Sequence, residues 1–238
     1  MRIDKFLSDM GLYTRRESAE LVKKRRIKID GVCPAKASEH FDPEKSELTV
    51  DGNTIAYKSF FYLMLNKPEG YVSATDDGNL PTVLELVDER YKRAGVFPCG
   101  RLDRNTTGLM LLTNDGKLSH KLLSPRCHVK KKYRFTCKFP ISSEDEALLE
   151  AGIEIEGGYR TLPCEVEMLG EKEGFITLTE GKYHQIKLMA KAVHNQITSL
   201  KRVSFGPLEL DGELAPGEYR VLSDKEEELL RSHSAEEK

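Results

Sequence analysis

The first thirty residues, RIDKFLSDMGLYTRRESAELVKKRRIKIDG, alternate between helical and extended patterning. Ile3, Phe6 and Leu7 recur at helical spacing and predict a short first helix. Thr14 and Glu17 stand in the order of a capping box, predicting a second helix that turns Ala19, Leu21 and Val22 inward. Ile27 to Asp30 and Glu47 to Val50 then read as short strands, closed by the Gly31 turn and by Asp51-Gly52. These elements complete a compact unit near residue 59, so the expected domains are 1–59 and 60–238.

From Phe60 the pattern changes. FFYLMLNKPEGYVSA is an apolar run that ends in a Lys-Pro-Glu-Gly turn and is expected to resume as a second strand. A short helical stretch follows at Thr82 to Val87, a strand at Val96 to Pro98, and an apolar strand at Leu109 to Thr113 closed by an Asn114-Asp115-Gly116 turn. KLSHKLLSPRCH is helical until Pro125, KKKYRFTCKF is a strand, and Ser142 or Ser143 opens a helix with acids in its first turn. Strands are expected around Cys164 to Met168 and Phe175 to Thr179. In HQIKLMAKAVH the residues Ile186, Met189, Ala190 and Val193 keep helical spacing, with Lys187 and Lys191 one turn apart on one face. The remainder reads as short strands broken by Gly-Pro and Asp-Gly, then a charged helix or tail.

Composition narrows the class. With 39% hydrophobic and 32% charged residues the chain is that of a folded globular protein. No apolar run approaches the roughly 20 residues that span a bilayer, and the N-terminus lacks the apolar core of a secretion signal, so a cytoplasmic protein with no membrane partner is expected. Five cysteines without a Cys-x-x-Cys pair argue against a disulfide framework and a zinc site, and read as buried free thiols.

The net charge of -2 conceals strong local asymmetry. Residues 1–28 hold nine Lys or Arg against four acids, residues 117–134 seven bases and no acid, and residues 181–203 five bases and no acid. Any one such stretch is commonly a solvated face; three together favour a polyanion. On the second helix Arg15, Arg16, Lys23, Lys24, Arg25 and Arg26 crowd together, and an anionic partner would relieve their repulsion.

GRLDRNTTGLMLLTNDG is the segment with chemical promise. It places Asp103, flanked by Arg101 and Arg104, in a polar loop before a strand apolar enough to be buried. A carboxylate among cations suits a nucleophile or base rather than a proton donor, although an arbitrary Asp beside an Arg is more often a surface ion pair.

Two resemblances change that balance. R-x-D-K-F-L, then T-R-R, a basic stretch and I-K-I-D-G resemble the α-L RNA-binding module of a small-subunit ribosomal protein and of bacterial tyrosyl-tRNA synthetases, over residues 1 to about 50. G-R-L-D-x-x-T-x-G-L-x-L-L-T-N-D-G, from Gly100 to Gly116, resembles the catalytic segment of the RsuA/RluA group of pseudouridine synthases. LNKPEGYVSA, KKKY and EGKYHQIKLM resemble that group's other elements in the same order, and with the N-terminal module they point to the RsuA type (RsuA/RluB family).

The resemblance implies an α+β protein in which the α-L module precedes a catalytic domain with a long mixed, mainly antiparallel sheet flanked by helices. It implies isomerisation of a uridine of rRNA, most readily of the small subunit, to pseudouridine, with neither metal nor cofactor. Asp103 takes the place of the catalytic carboxylate, Tyr133 of the tyrosine that stacks on the extruded uracil, Lys187 of the carboxylate's basic partner, and Ile186 of the apolar residue beside the uracil. Arg101 is expected to position Asp103 or contact phosphate, and His184 to have a structural or RNA-contacting role. Arg2, Lys5, Arg15, Arg16, Lys23, Arg25 and Arg26 are the expected RNA contacts of the module. The RsuA type usually carries Lys-Arg-Met where this chain has Lys187, Leu188 and Met189, which removes one expected RNA contact.

The expected partner is rRNA or an assembling ribosomal subunit, met by a monomer. Two rivals are a large-subunit rRNA target and a non-catalytic assembly factor; the latter would be marked by loss of Asp103, Tyr133 or Lys187, and all three are present. A glycosidase-like carboxylate pair is disfavoured because no second acid is clearly placed.

Overall fold

The computed structural model of the chain describes residues 1–233; the last five positions of the charged C-terminal stretch lie outside them. The chain divides into two compact units: Met1–Phe61 with Val87–Phe97, and Tyr62–Leu86 with the chain from Pro98 onward.

In the first unit α1 (Ile3–Asp9) and α2 (Arg15–Lys23) precede an antiparallel sheet β1 (Ile27–Ile29), β2 (Leu48–Val50) and β3 (Asn53–Thr54). Ile3, Phe6, Leu7, Leu21 and Val22 are buried, each worth about 1.5–3 kcal/mol in apolar transfer. The capping box forms as the sequence predicts: Thr14 Oγ1 accepts from Glu17 N at 3.2 Å, and Glu17 Oε2 accepts from Thr14 N at 2.7 Å. Ala19 is only half-buried; Ser18 is the small residue fully inside, its hydroxyl donating back to Thr14 O at 2.9 Å.

The expected boundary near residue 59 leaves out a returning segment. α3 (Glu89–Arg93) belongs to the first unit: Arg90 Nε donates to Met10 O at 3.2 Å, and Tyr91 meets Phe61 edge-on at 5.4 Å. Gly11, at φ +68°, allows this approach, because a Cβ there would stand 1.8 Å from Arg90 O.

The second unit is built on a sheet of order β10-β11-β7-β12-β6-β4-β14. Its strands are β4 (Tyr62–Lys67), β6 (Thr107–Thr113), β7 (Lys131–Cys137), β10 (Glu165–Met168), β11 (Glu173–Leu178), β12 (Ile197–Phe205) and β14 (Tyr219–Val221). Four minor strands accompany them: β5 (Phe97–Pro98), the hairpin β8 (Glu154–Ile155) and β9 (Tyr159–Arg160), and β13 (Leu208–Glu209). Neighbours along the main path run antiparallel except β6 and β12, which are parallel through Lys201↔Thr107 and Arg202↔Gly108. The sheet is thus mixed and mainly antiparallel, and helices flank it.

Every residue of β4 is buried: the apolar run Tyr62–Leu65 predicts it, and the polar Asn66 and Lys67 are buried beyond it. Tyr62, Met64, Leu109, Leu111 and Phe205 form a core with Leu118 and Leu122 of α4 (Gly116–Leu123) and Leu230 of α7 (Asp224–His233). Leu149 of α5 (Ser143–Ala151) and Met189 and Ala190 of α6 (Gln185–Ala192) border an apolar cavity with Phe135, Cys137 and Ile176.

Two local expectations are corrected. After Gly70 a single parallel bridge, Val72 to Thr82, takes the place of the second strand. Of the cysteines, Cys99 and Cys137 are buried, but Cys33 is exposed. The Asn114-Asp115-Gly116 turn closes β6 as expected and leads into α4, which Asp115 Oδ1 caps by accepting from Leu118 N at 3.0 Å. The expected breaks at Gly-Pro and Asp-Gly hold as well: ITSLKRVSF is one nine-residue strand that ends before Gly206, and β13 ends before Asp211-Gly212.

Candidate active site

The loop between β5 and β6 is fixed from beneath by a buried cation. Lys67, at the end of β4 and 0% exposed, donates from Nζ to Thr106 O at 2.9 Å, Pro68 O at 3.1 Å and Arg104 O at 3.2 Å. Burial pushes its pKa down to about 8, against the pull of Asp103 and Glu69. The loop closes on itself where Thr106 N donates to Asp103 O at 3.0 Å. It is also strapped to the segment after Pro68: Ser73 Oγ donates to Leu102 O at 2.8 Å and accepts from Leu102 N at 3.0 Å, and Gly70 N donates to Arg104 O at 2.9 Å.

The start of α6 supplies the facing groups. Gln185, buried at the first turn, donates from Nε2 to Glu180 Oε1 at 2.7 Å and accepts from Lys182 N at 2.9 Å. Glu180 also accepts from Tyr159 OH at 2.5 Å and Leu162 N at 2.9 Å, which ties the β8–β9 hairpin to the helix start. From this turn Lys187 Nζ reaches Asp103 Oδ2 at 2.6 Å, and His184 Nε2 stands 3.6 Å from Asp103 Oδ1. The Asp103 side chain keeps 26% of its surface accessible, so a reactant can still approach it.

Tyr133 comes from β7, where it lies in register between Ile176 of β11 and Arg202 of β12. A cleft is lined by Arg101, Asp103, Thr106, Tyr133, Ile186 and Lys187 among others. The five residues marked from the sequence for chemistry and uracil contact therefore border one space. The Thr106 hydroxyl is buried beside it without a hydrogen-bond partner.

The seven basic residues marked in the module as RNA contacts are all exposed. Arg2 pairs with Asp4 at 2.5 Å, Lys5 with Asp9 at 2.5 Å, Lys23 with Glu20 at 2.8 Å, and Arg26 with Asp51. Arg15, Arg16 and Arg25 enter no ion pair among the described residues. In residues 117–134 the relief of charge is internal: Lys130, Lys132 and Arg134 pair with Glu165, Glu167 and Glu173 at 2.7, 3.1 and 3.2 Å.

Sequence reasoning passed over Lys67 and Glu180. Lys67 had a signal, a lysine closing a strand that opens with an apolar run; Glu180 stands in EGKYHQIKLM, but its role depends on the hairpin folded against it. Among the described residues no group of three or more His, Cys, Asp or Glu is placed to hold a metal ion, and no helix is long and apolar enough to cross a membrane.

A half-buried carboxylate paired with a lysine beside a tyrosine-lined cleft, on a mixed sheet with a separate basic module, defines an α+β enzyme acting on RNA. The comparisons agree. The model of the RNA pseudouridylate synthase family matches residues 61–192, and the S4 domain model matches residues 1–44. The uncharacterized RNA pseudouridine synthase YtzG of Bacillus subtilis (strain 168) is 47% identical over 99% of this chain and 100% of its own. The ribosomal small subunit pseudouridine synthase A of Salmonella typhimurium is 38% identical over 95% of this chain and 98% of its own. A crystal structure of a pseudouridylate synthase superposes with TM-score 0.68 at 35% identity, covering 97% of this chain and 99% of that one. The chain belongs to the RNA pseudouridylate synthase family and carries an N-terminal S4 domain: it is an RNA pseudouridine synthase.

Proposed function

We propose that the protein isomerises one specific uridine of small-subunit rRNA to pseudouridine, with Asp103 as the catalytic residue and no cofactor. The observation that carries the assignment of Asp103 is its contact with Lys187 at 2.6 Å inside the cleft that Tyr133 and Ile186 line. The small-subunit target is supported by the 38% identity to the Salmonella enzyme over nearly the whole of both chains.

The reaction detaches uracil from C1′ of the ribose, turns it, and rejoins it through C5, which loses its proton while N1 gains one. A uridine within folded RNA must first leave its stack, at a cost of roughly a few kcal/mol. Stacking on Tyr133 offsets this by about 1–3 kcal/mol, and Ile186 closes the apolar side of the space. Asp103 then acts on the ribose as an anion, whether it attacks C1′ or removes the neighbouring proton from C2′; Lys187 orients it for either. Arg101, exposed at the rim, is placed to hold a phosphate. The S4 domain contributes affinity through Arg2, Lys5, Arg15, Arg16, Lys23, Arg25 and Arg26, a contribution that falls as salt rises. The activity belongs where rRNA is made and assembled, in the cytoplasm.

The test is pseudouridine mapping of unmodified small- and large-subunit rRNA, free and in particles, after incubation with the wild type and Asp103→Ala. One new site in small-subunit rRNA, made only by the wild type, is expected. A site confined to large-subunit rRNA refutes the target, and a site still made by Asp103→Ala refutes the catalytic assignment.

A further inference from the structure

We propose that Tyr183, stacked on His184 at the mouth of the Asp103 cleft, is a platform for the RNA base adjacent to the target uridine. The proposal rests on reading that cleft as the uridine site.

Tyr183 is 74% exposed, so its ring contributes little to the core, yet it is not loose. It lies on the His184 imidazole with ring centroids 3.9 Å apart and planes within 18°. His184 holds a left-handed backbone at φ 51°, a conformation that is costly for a side-chain-bearing residue and that clusters at functional sites. The next residue, Gln185, anchors the turn through Glu180. One face of the Tyr183 ring is therefore backed by a fixed imidazole, and its high exposure leaves the other open to solvent.

The surroundings fit a polynucleotide. Tyr183 and His184 line a groove of about 630 Å³ that shares Arg101 and Asp103 with the cleft. Arg104 and Lys182 add to Arg101, so three cations face the two carboxylates of Asp77 and Asp103. The groove is larger than the cleft it adjoins, which suits the strand on either side of an extruded nucleotide. When the uridine turns out of its stack, its neighbour loses a stacking partner, and an aromatic ring at the cleft mouth replaces it. Such stacking tolerates any base, so the platform supplies affinity and register without reading sequence. That separates Tyr183 from Tyr133, which lines the cleft itself.

The chain has no tryptophan, so Tyr183→Trp introduces a lone indole at the platform. Its emission is followed on adding small-subunit rRNA transcript, while binding is measured independently by anisotropy of labelled RNA and product by pseudouridine mapping. Quenching on binding is expected. Tyr183→Ala should weaken RNA binding roughly 5- to 100-fold, the loss falling on affinity rather than on the maximal single-turnover rate, and Tyr183→Phe should recover it. Unchanged indole emission with RNA bound, or wild-type affinity in Tyr183→Ala, overturns the platform even if pseudouridine is formed. Quenching without pseudouridine in small-subunit rRNA, free or in particles, overturns the small-subunit reading and supports the platform.

Discussion

Asp103 and Lys187 are 84 residues apart in the chain and 2.6 Å apart in space. One sits on a loop pinned by buried Lys67, the other on a helix start pinned by Gln185 and Glu180. Neither support relies on the ion pair, so the charges are presented to each other by scaffolds that stand without it. Asp103→Asn keeps the shape and removes the charge: single-turnover pseudouridine formation should fall by at least about 10³-fold, with the fold intact by circular dichroism. Lys187→Met should cost about 10²- to 10³-fold. Retention of a tenth of wild-type activity in either variant would refute these roles.

Tyr133 separates ring from hydroxyl. The ring borders the cleft, while hydrogen bonding by its hydroxyl plays no part in the proposed stack. Tyr133→Phe should therefore keep substrate affinity, whereas Tyr133→Ala should lose stacking of about 1–3 kcal/mol, roughly a 5- to 150-fold drop in kcat/KM. Equal losses in both variants would show that the hydroxyl, not the ring, matters.

How far the sequence discloses this site depends on where the deciding contact lies. Thr14 and Glu17, three residues apart, form the capping box that their order predicts. Asp103 is marked by its polar loop as well as by resemblance to a family, and Tyr133, Ile186 and Lys187 by the resemblance; no local pattern states that they meet, since their contacts join a loop, a strand and a helix. Gly108 illustrates the limit. Within the strand pattern it looks like a weak point, but a Cβ there would stand 2.2 Å from Arg202 O, so glycine is what lets β6 lie beside β12. β12 holds a related case: buried Arg202, which donates to Leu109 O at 2.7 Å, reads in sequence as a surface residue.

Lys67 carries a prediction on stability and its sign with pH. Its ammonium satisfies three carbonyls around the Asp103 loop, so Lys67→Met should cost about 2–4 kcal/mol, or roughly 4–16 °C in Tm. The folded-state pKa of about 8 lies below the ordinary lysine value. Between about pH 8 and 10.4 the unfolded chain keeps a proton that the folded chain has released, so this group makes wild-type stability rise with pH across that window. Urea unfolding of both proteins from pH 7 to 10 should show the deficit of Lys67→Met widening toward alkaline pH. A constant or narrowing deficit would contradict the assigned shift.

Acid should act on β14, the strand paired with β4. Arg220 of β14 donates to Glu226 Oε1 and Oε2 at 2.8 Å each, and from Nε to Asp211 Oδ2 at 2.7 Å. With Ser223 N and Oγ also donating to Glu226, at 2.8 and 2.9 Å, the Arg220 contact leads in holding its carboxyl down to about 2. Because the folded value lies below the unfolded one, the stability this group contributes is complete above about pH 4.5 and is lost as pH falls toward 2. Glu226 lies in the first turn of α7, which seats Leu230 in the core, so the helix should loosen before the sheet does. Hydrogen exchange followed by mass spectrometry between pH 5 and 3, corrected for intrinsic rates, should show protection falling first in Asp224–His233. Glu226→Gln should abolish most of that pH dependence while lowering protection at pH 7; a variant that loses helix protection with acid as the wild type does would place the trigger elsewhere.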